Sequence, residues 1–285
     1  MKRFRDFDLT DYNSYKVKSY CRTAFFPECE LDIVDLYKSN KDYIVLGSGN
    51  NVILSKSYYD SDFIIFNGNF NEVKVNKESN EIIAEAGAEI YDVSKLAKES
   101  ELTGAEFYYD IPSSVGGAVV MNAGTKEGET KNILAKVRYL DLEDMLVKEK
   151  SKKEIEFEYR NSFFQKQVDK IILKAWFNLK KGNYNEISNL MSESKKRRWE
   201  KQPRNYPNAG SVFKRPPNRY VGPMIDELGL KGYRVGGAEV SKKHSGFIIN
   251  RGDATGNDIL NLINEVKHRV FEKYNVNLEI EQRII

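Results

Sequence analysis

Residues 43–54 read YIVLGSGNNVIL: an apolar run, a glycine turn and a second apolar run in close succession. Tyr43 to Leu46 has the composition of a buried strand. Leu46, Gly47, Ser48, Gly49, Asn50 and Asn51 then place two glycines directly after it, with polar residues able to turn backbone amides toward an anion. The turn is not the dinucleotide fingerprint of a doubly wound domain. Its third glycine would fall at Val52, and the following NVILSK continues as strand where that fold opens a helix. Taken alone, the turn suits either a phosphate or an ordinary β-turn.

Outward from this turn the chain alternates strands with short helices. Glu30 to Asn40 carries Leu31, Ile33, Val34, Leu36 and Tyr37 at the spacing of an amphipathic helix. Val52 to Leu54 and Phe63 to Phe66 read as strands, and Val73 to Ala86 as a hairpin about the polar KESN turn. Ile90 to Leu102 returns to helical spacing and stops at Gly104, and Lys136 to Leu140 and Ile171 to Phe177 are further strands. After Lys180, Lys181 and Gly182 the character changes to a helix over Asn185 to Lys201, which marks a domain boundary. A second long helix is expected from Gly256 to Tyr274, with Ile259, Ile263, Val266 and Val270 as its apolar stripe and Thr255 with Asp258 as a capping box.

With 285 residues, 40% of them hydrophobic and 12% aromatic, the chain can bury a core in two or three lobes. Its 45 Lys and Arg against 42 Asp and Glu leave a formal charge of +3, too balanced to imply nucleic acid. Cys21 and Cys29 lack the clustering of a zinc site or a disulfide framework, which fits a reduced compartment. His244 and His268 stand apart, so no metal site is expected. The charged start MKRFRDFDLTDYN is not a signal peptide, and no apolar run approaches the ~20 residues that span a bilayer, so a cytoplasmic protein is expected.

Four further segments offer chemistry. IPSSVGGAVVMNAG, Ile111 to Gly124, is apolar, glycine-rich and nearly uncharged, suited to a flat ligand or to a buried structural loop. EYRNSFFQ, Glu158 to Gln165, sets Arg160 among aromatic residues, where its fork can meet a carboxylate or its stem can simply cover apolar surface. NYPNAGSVFKRP, Asn205 to Pro216, holds Ser211 on an Ala209-Gly210 turn between prolines and ahead of Lys214 and Arg215. LEIEQRII, Leu278 to Ile285, alternates so that Glu279 and Glu281 share one face of a strand, a position where carboxylates are usually solvated.

Taken together and in order, these segments resemble the UDP-N-acetylenolpyruvoylglucosamine reductases (MurB, UDP-N-acetylmuramate dehydrogenase), flavoenzymes of bacterial cell-wall synthesis. NSYKVKSYCRTAFFPE is similar to the family's N-terminal segment, with Arg22 at its arginine, and LGSGNN to its flavin-phosphate turn. IPSSVGGAVVMNAG is similar to the flavin-side loop, YRNSFF to the Tyr-Arg-x-Ser-x-Phe motif, NYPNAGSVFKRP to the segment of the catalytic serine, and GLKGYRVGGAEVSKKHSGFIIN and LEIEQRII complete the series. Ser48 and Ser113 stand where many relatives have glycine, Asn50 occupies a usual serine position, and TKEGE replaces the common Ala-Tyr-Gly after Gly124. The short YRNSFF to NAGSVF succession is similar to the shorter subtype.

The resemblance implies an α+β fold of the vanillyl-alcohol-oxidase type, with flavin-binding lobes at 1–70 and 71–182 and a substrate-binding lobe at 183–285 whose last strand returns to the active site. It implies non-covalent FAD held by Leu46, Gly47, Ser48, Gly49, Asn50, Asn51, Ile111, Pro112, Ser113, Ser114, Gly116 and Gly117, and NADPH as hydride donor. Hydride then goes to the methylene carbon of an enolpyruvyl ether on a UDP-sugar. By the same resemblance Arg160 stabilises the enolate, Glu281 assists it, Ser211 protonates the adjacent carbon, and Lys214 is a candidate for the UDP diphosphate. A monomer or weak oligomer is expected, with no nucleic-acid or membrane partner. Two other readings stand beside it: a flavin oxidoreductase of the same fold acting on another substrate, and a binding module in which KKRRWEKQPR, Lys195 to Arg204, meets nucleic acid or anionic lipid.

Overall fold

The computed structural model describes residues 1–39 and 41–285. They divide into two compact units, one of residues 1–4, 23–48 and 61–198, the other of residues 5–22, 49–60 and 199–285. The chain thus passes between units inside the strands Lys2–Asp8, Tyr20–Phe26 and Tyr58–Ile65, and again between Ser48 and Gly49 of the glycine turn. These three strands and Tyr43–Leu46 form one sheet, in the order Lys2–Asp8, Tyr20–Phe26, Tyr58–Ile65, Tyr43–Leu46. Its last pair is parallel, with Leu46 opposite Ile65. The first strand, KRFRDFD, carries too much charge to read as strand from its sequence. It lies at the sheet edge, where charged residues protect unpaired backbone from other chains.

The first unit is built on an antiparallel five-stranded sheet ordered Leu146–Ser151, Leu134–Asp141, Lys170–Asn178, Glu81–Glu85, Val73–Asn76. Ala175 faces Val137 on one side and Ala84 on the other, small residues that let the covering helices approach. Helix Ile90–Glu99 buries Ile90, Val93 and Ala97, and helix Val115–Val120 buries Val115, Ala118 and Val119, in one continuous core. The 111–124 segment is therefore not a loop throughout. Ser114 caps a short helix by accepting the Gly117 N–H at 3.3 Å, and burial of three apolar side chains outweighs the poor helix propensity of Gly116 and Gly117. The helix expected to reach Asn40 spans Glu30–Tyr37, and Asn40 itself lies outside the described residues.

The second unit packs helix Gly256–Tyr274 against an antiparallel sheet of Arg234–Val235, Ala238–Val240 and Ile248–Asn250. Ile259, Leu262, Ile263, Val266 and Val270 are buried along that helix, each contributing about 1.5–3 kcal/mol of transfer free energy. The capping box forms as its sequence requires. Asp258 N–H donates to Thr255 Oγ1 at 3.1 Å, and Thr255 N–H to Asp258 Oδ2 at 2.9 Å.

The tail departs from expectation. LEIEQRII is not one alternating strand: Ile280 makes a single bridge with Phe213, the chain bends at Gln282, and Arg283–Ile284 pairs in parallel with Val52–Ile53. Burial still alternates as far as Gln282, which is buried on the side of Leu278 and held there by Tyr15 and Ala209, and the pattern ends at the bend, after which Arg283 and Ile284 are both exposed.

Candidate active site

In the second unit the serine turn is assembled from three directions. Gly210 takes φ +79°, a conformation that side chains with a Cβ resist, which explains glycine immediately before Ser211. Asn208 steadies the approach, its Nδ2 donating to Tyr206 O at 2.8 Å and its Oδ1 accepting from Gly210 N–H at 3.2 Å. Beyond the turn Val212 N–H donates to Gly246 O at 3.0 Å, and Val212 O accepts from Glu281 N–H at 2.8 Å. Ser211 itself is exposed and Glu281 half-buried. Backbone pairing therefore brings these two expected residues together. Lys214 follows on the same segment, its ammonium 2.5 Å from Glu279 Oε1, so Glu279 is its counter-ion.

The later half of the glycine turn belongs to this unit too. Gly49 has φ +69°, and a Cβ there would stand 2.0 Å from Tyr12 O. Gly49→Ala is expected to destabilise the protein by more than the ~1–2 kcal/mol of the left-handed conformation alone, read as a fall in melting temperature. An unchanged melt would contradict the packing. Asn50 Oδ1 accepts a short hydrogen bond from Ser14 Oγ. Asn51 Nδ2 donates to Glu281 O at 3.2 Å, and Asn51 O accepts from Arg283 N–H at 2.9 Å. The turn thus also fixes the backbone of the glutamate.

In the first unit Leu46 is buried at the end of its strand, and Gly47 and Ser48 meet the 111–117 segment. Ser48 Oγ accepts from Ser114 N–H at 2.9 Å. Ile111 and Ser113 are half-buried and Pro112 is exposed, next to the helix that carries Gly116 and Gly117. Glu89 was not expected here. Its backbone bridges Ser114, and burial, then repulsion from Asp92, raises its carboxyl to about 7, opposed by a hydrogen bond from the Ser113 backbone.

A carboxyl raised in the fold from 4.5 holds its proton better folded than unfolded. Stability is therefore lost as pH rises from about 4.5 to about 7, and the full penalty stands above that. Glu89→Gln is expected to raise the melting temperature near pH 8 and to change it little near pH ~4.5. Equal effects at both values would contradict the burial argument.

Arg160 occupies the third position of a tight turn closed by Glu158 N–H to Asn161 O at 3.0 Å. Its φ is +53°, where glycine or asparagine is usual. The guanidinium donates to Asn122 O at 3.3 Å and Gly124 O at 2.8 Å, lies 3.7 Å from Glu129, and stands over the Tyr159 ring. Two carbonyls and a ring thus set the plane of the fork. Ser162 of the same motif is buried and donates to Val120 O at 2.8 Å, a structural tie.

The binding-module reading finds no support in this geometry. Within KKRRWEKQPR, Arg197 pairs with Glu127 at 2.7 Å, Arg198 lies 3.6 Å from Asp110, and Lys195 stands over Tyr109. Arg197 and Arg198 of the basic run are thus paired with acids of the fold. The acidic group Asp141, Glu143 and Asp169 surrounds Lys170, whose Nζ lies 2.7, 3.1 and 2.6 Å from their oxygens, so a lysine supplies the cation there. Among the described residues no helix is long and apolar enough to cross a membrane. Cys21 is buried and Cys29 exposed, and the two are not joined in a disulfide.

The glycine turn at the end of a strand and the serine-capped helix beside it present amides and hydroxyls suited to an anionic group, and the relatives make the class a flavin-dependent oxidoreductase. Residues 24–148 match the FAD binding domain family, and residues 202–285 match the C-terminal domain of UDP-N-acetylenolpyruvoylglucosamine reductase. The chain is 39% identical to the UDP-N-acetylenolpyruvoylglucosamine reductase of Francisella tularensis over 97% of its length and 98% of the relative's. It is 45% identical to that of Caldanaerobacter subterraneus over 85% and 79%. The reductase from Thermus caldophilus superposes with a TM-score of 0.82 at 30% identity, covering 99% of this chain and 98% of that one. The chain belongs to the UDP-N-acetylenolpyruvoylglucosamine reductase family, and its α+β fold is that family's fold.

Proposed function

We propose that this flavin-dependent reductase converts UDP-N-acetylglucosamine enolpyruvate to UDP-N-acetylmuramate in the cytoplasm, with Ser211, Arg160 and Glu281 dividing the work on the substrate. The observation that carries the assignment is the pairing of the serine segment with the glutamate, Glu281 N–H to Val212 O at 2.8 Å. A proton donor and a carboxylate are thereby held in fixed register.

The residues present fit FAD. The LGSGNN turn and the Ile111–Gly117 loop supply hydroxyls, amides and glycine backbone without an acidic side chain of their own, and Gly49 closes on Tyr12 too tightly to admit a Cβ. Of the adjoining acids, Asp110 lies 3.6 Å from the Arg198 guanidinium and Glu89 has its carboxyl raised to about 7, which moderates repulsion of a diphosphate. When bound, FAD carries the hydride of NADPH to the methylene carbon of the enol ether. Arg160, its plane set by the carbonyls of Asn122 and Gly124, offers two donors to the carboxylate as charge gathers on the enolate. Ser211 gives its proton to the ether-bearing carbon. A serine hydroxyl is a weak acid, so the step relies on the strong basicity of an enolate in an oriented site. Its exposure gives solvent a route to restore the proton.

In this reading Glu281 stabilises the reacting end of the substrate and Lys214 turns from Glu279 to the diphosphate. The lobes 1–70, 71–182 and 183–285 divide flavin from substrate binding, and the protein works as a monomer or weak oligomer without nucleic acid or membrane. The purified protein is expected to be yellow, to bleach anaerobically with NADPH, and to recover its colour on addition of UDP-N-acetylglucosamine enolpyruvate. A protein that cannot take up FAD, or reduced protein that the substrate fails to reoxidise, would overturn it.

A further inference from the structure

The serine turn rests on a buried polar pair that the chemistry above does not use. Gln282 directly follows Glu281 and is 4% exposed, and Tyr15 is fully buried. Tyr15 Oη donates to Gln282 Oε1 at 2.9 Å. Gln282 Nε2 donates to Ala209 O at 3.0 Å and to Gly210 O at 3.3 Å, the two carbonyls immediately before Ser211. The amide is thereby satisfied at both ends: its two N–H donors are used by the turn, and its oxygen by the phenol.

The arrangement has a sense. A reversed amide would set Oε1 against two carbonyl oxygens and withdraw the acceptor from the Tyr15 hydroxyl. Tyr15 is itself pinned from outside the turn, since Asn250 Nδ2 donates to Tyr15 O at 2.8 Å while Asn250 Oδ1 accepts from Gly252 and Ala254 N–H at 2.7 and 3.0 Å. Gly210 is the residue most in need of such support. A Cβ there would meet no atom within 4 Å, so glycine is required by its φ of +79° and not by close packing. The Gln282 amide grips the carbonyls on both sides of the glycine. Its neighbour Glu281 holds Val212 on the far side of Ser211 through the backbone. Two consecutive residues of the tail thus bracket the serine.

We propose that Gln282, oriented by Tyr15, is a positioning residue for the Ser211 hydroxyl, fixing the Ala209-Gly210 turn so that the proton is delivered from one place. The inference rests on the reading of Ser211 as proton donor. The pair acts on the oxidative half of the cycle, in which substrate takes hydride and proton, and has no part in reduction by NADPH.

The test uses flavin-loaded Gln282→Met and Tyr15→Phe, each alone and combined with Ser211→Ala, with both half-reactions followed anaerobically by flavin absorbance. Gln282→Met is expected to slow reoxidation by UDP-N-acetylglucosamine enolpyruvate about 10- to 100-fold, as a displaced catalytic group does, with reduction by NADPH unchanged. Tyr15→Phe, which removes one oxygen and keeps the ring, is expected to act in the same direction by a smaller factor. It carries the test if Gln282→Met does not fold. On the Ser211→Ala background Gln282→Met should add less than about two-fold, because a positioning residue has nothing left to position. Equal slowing of both half-reactions, or full additivity with Ser211→Ala, would show a general structural role and overturn the proposal. Amide hydrogen exchange across Ala209–Val212 separates the two possible failures. If Ser211→Ala leaves reoxidation intact while both variants speed that exchange, the serine reading is what fails. Unchanged exchange in both variants means that the pair does not hold the turn.

Discussion

Ser211→Ala is expected to reduce its flavin with NADPH at the wild-type rate and then to reoxidise with substrate ~10²- to 10⁴-fold more slowly. The separation of the halves follows from where the hydroxyl acts. In the proposed role it acts only on the carbon that receives the proton, so nothing in the reductive half is expected to depend on it. The turn should survive the change, since its conformation is set by Gly210 φ and by the Gln282, Gly246 and Glu281 contacts, in none of which the hydroxyl takes part. Stopped-flow absorbance of the flavin under anaerobic conditions reads both rates on one sample. An equal loss in both halves would assign Ser211 to cofactor binding, and no loss in either would remove it from the chemistry.

Arg160→Lys is expected to cost the same oxidative half-reaction about 10²- to 10³-fold, the usual effect of removing an oriented donor from a developing anion. The substitution keeps the charge and discards the fork. Lysine cannot reach Asn122 O and Gly124 O while presenting two parallel N–H groups elsewhere, so a charge-only role predicts a small effect and a geometric role a large one. Rates near wild type would show that a positive charge is sufficient. The melting temperature should be read beside the rates, because a lysine at φ +53° is as strained as the arginine and the folded state should differ little.

Much of this site was legible in the sequence because its parts are short and carry local rules. The strand Tyr43–Leu46, the capping box at Thr255 and the Gly210 turn each follow from residues within a few positions of one another. The helix inside Ile111–Gly124 escaped because its glycines argue against a helix, and only burial of Val115, Ala118 and Val119 against distant strands decides for it. The tail escaped for a related reason. Its alternation is real in composition, but Gln282 answers to Tyr15, 267 positions away, and no local pattern announces that pair. Glu89 likewise looks like an ordinary helix-start acid until the 113–114 backbone closes over it. Arg160 was legible as a candidate, whereas the left-handed turn that carries it lies in the backbone dihedral.

Delivery of hydride and proton to the two carbons of an enol ether, the proton from a single fixed donor, is the proposed work of this chain. It is tested most directly by mixing NADPH-reduced wild-type protein with UDP-N-acetylglucosamine enolpyruvate in D₂O and reading the product by NMR. The prediction is prompt reoxidation and UDP-N-acetylmuramate with deuterium on its ether-bearing carbon in one configuration. Reduced protein that stays reduced, or product with both configurations at that carbon, would contradict it.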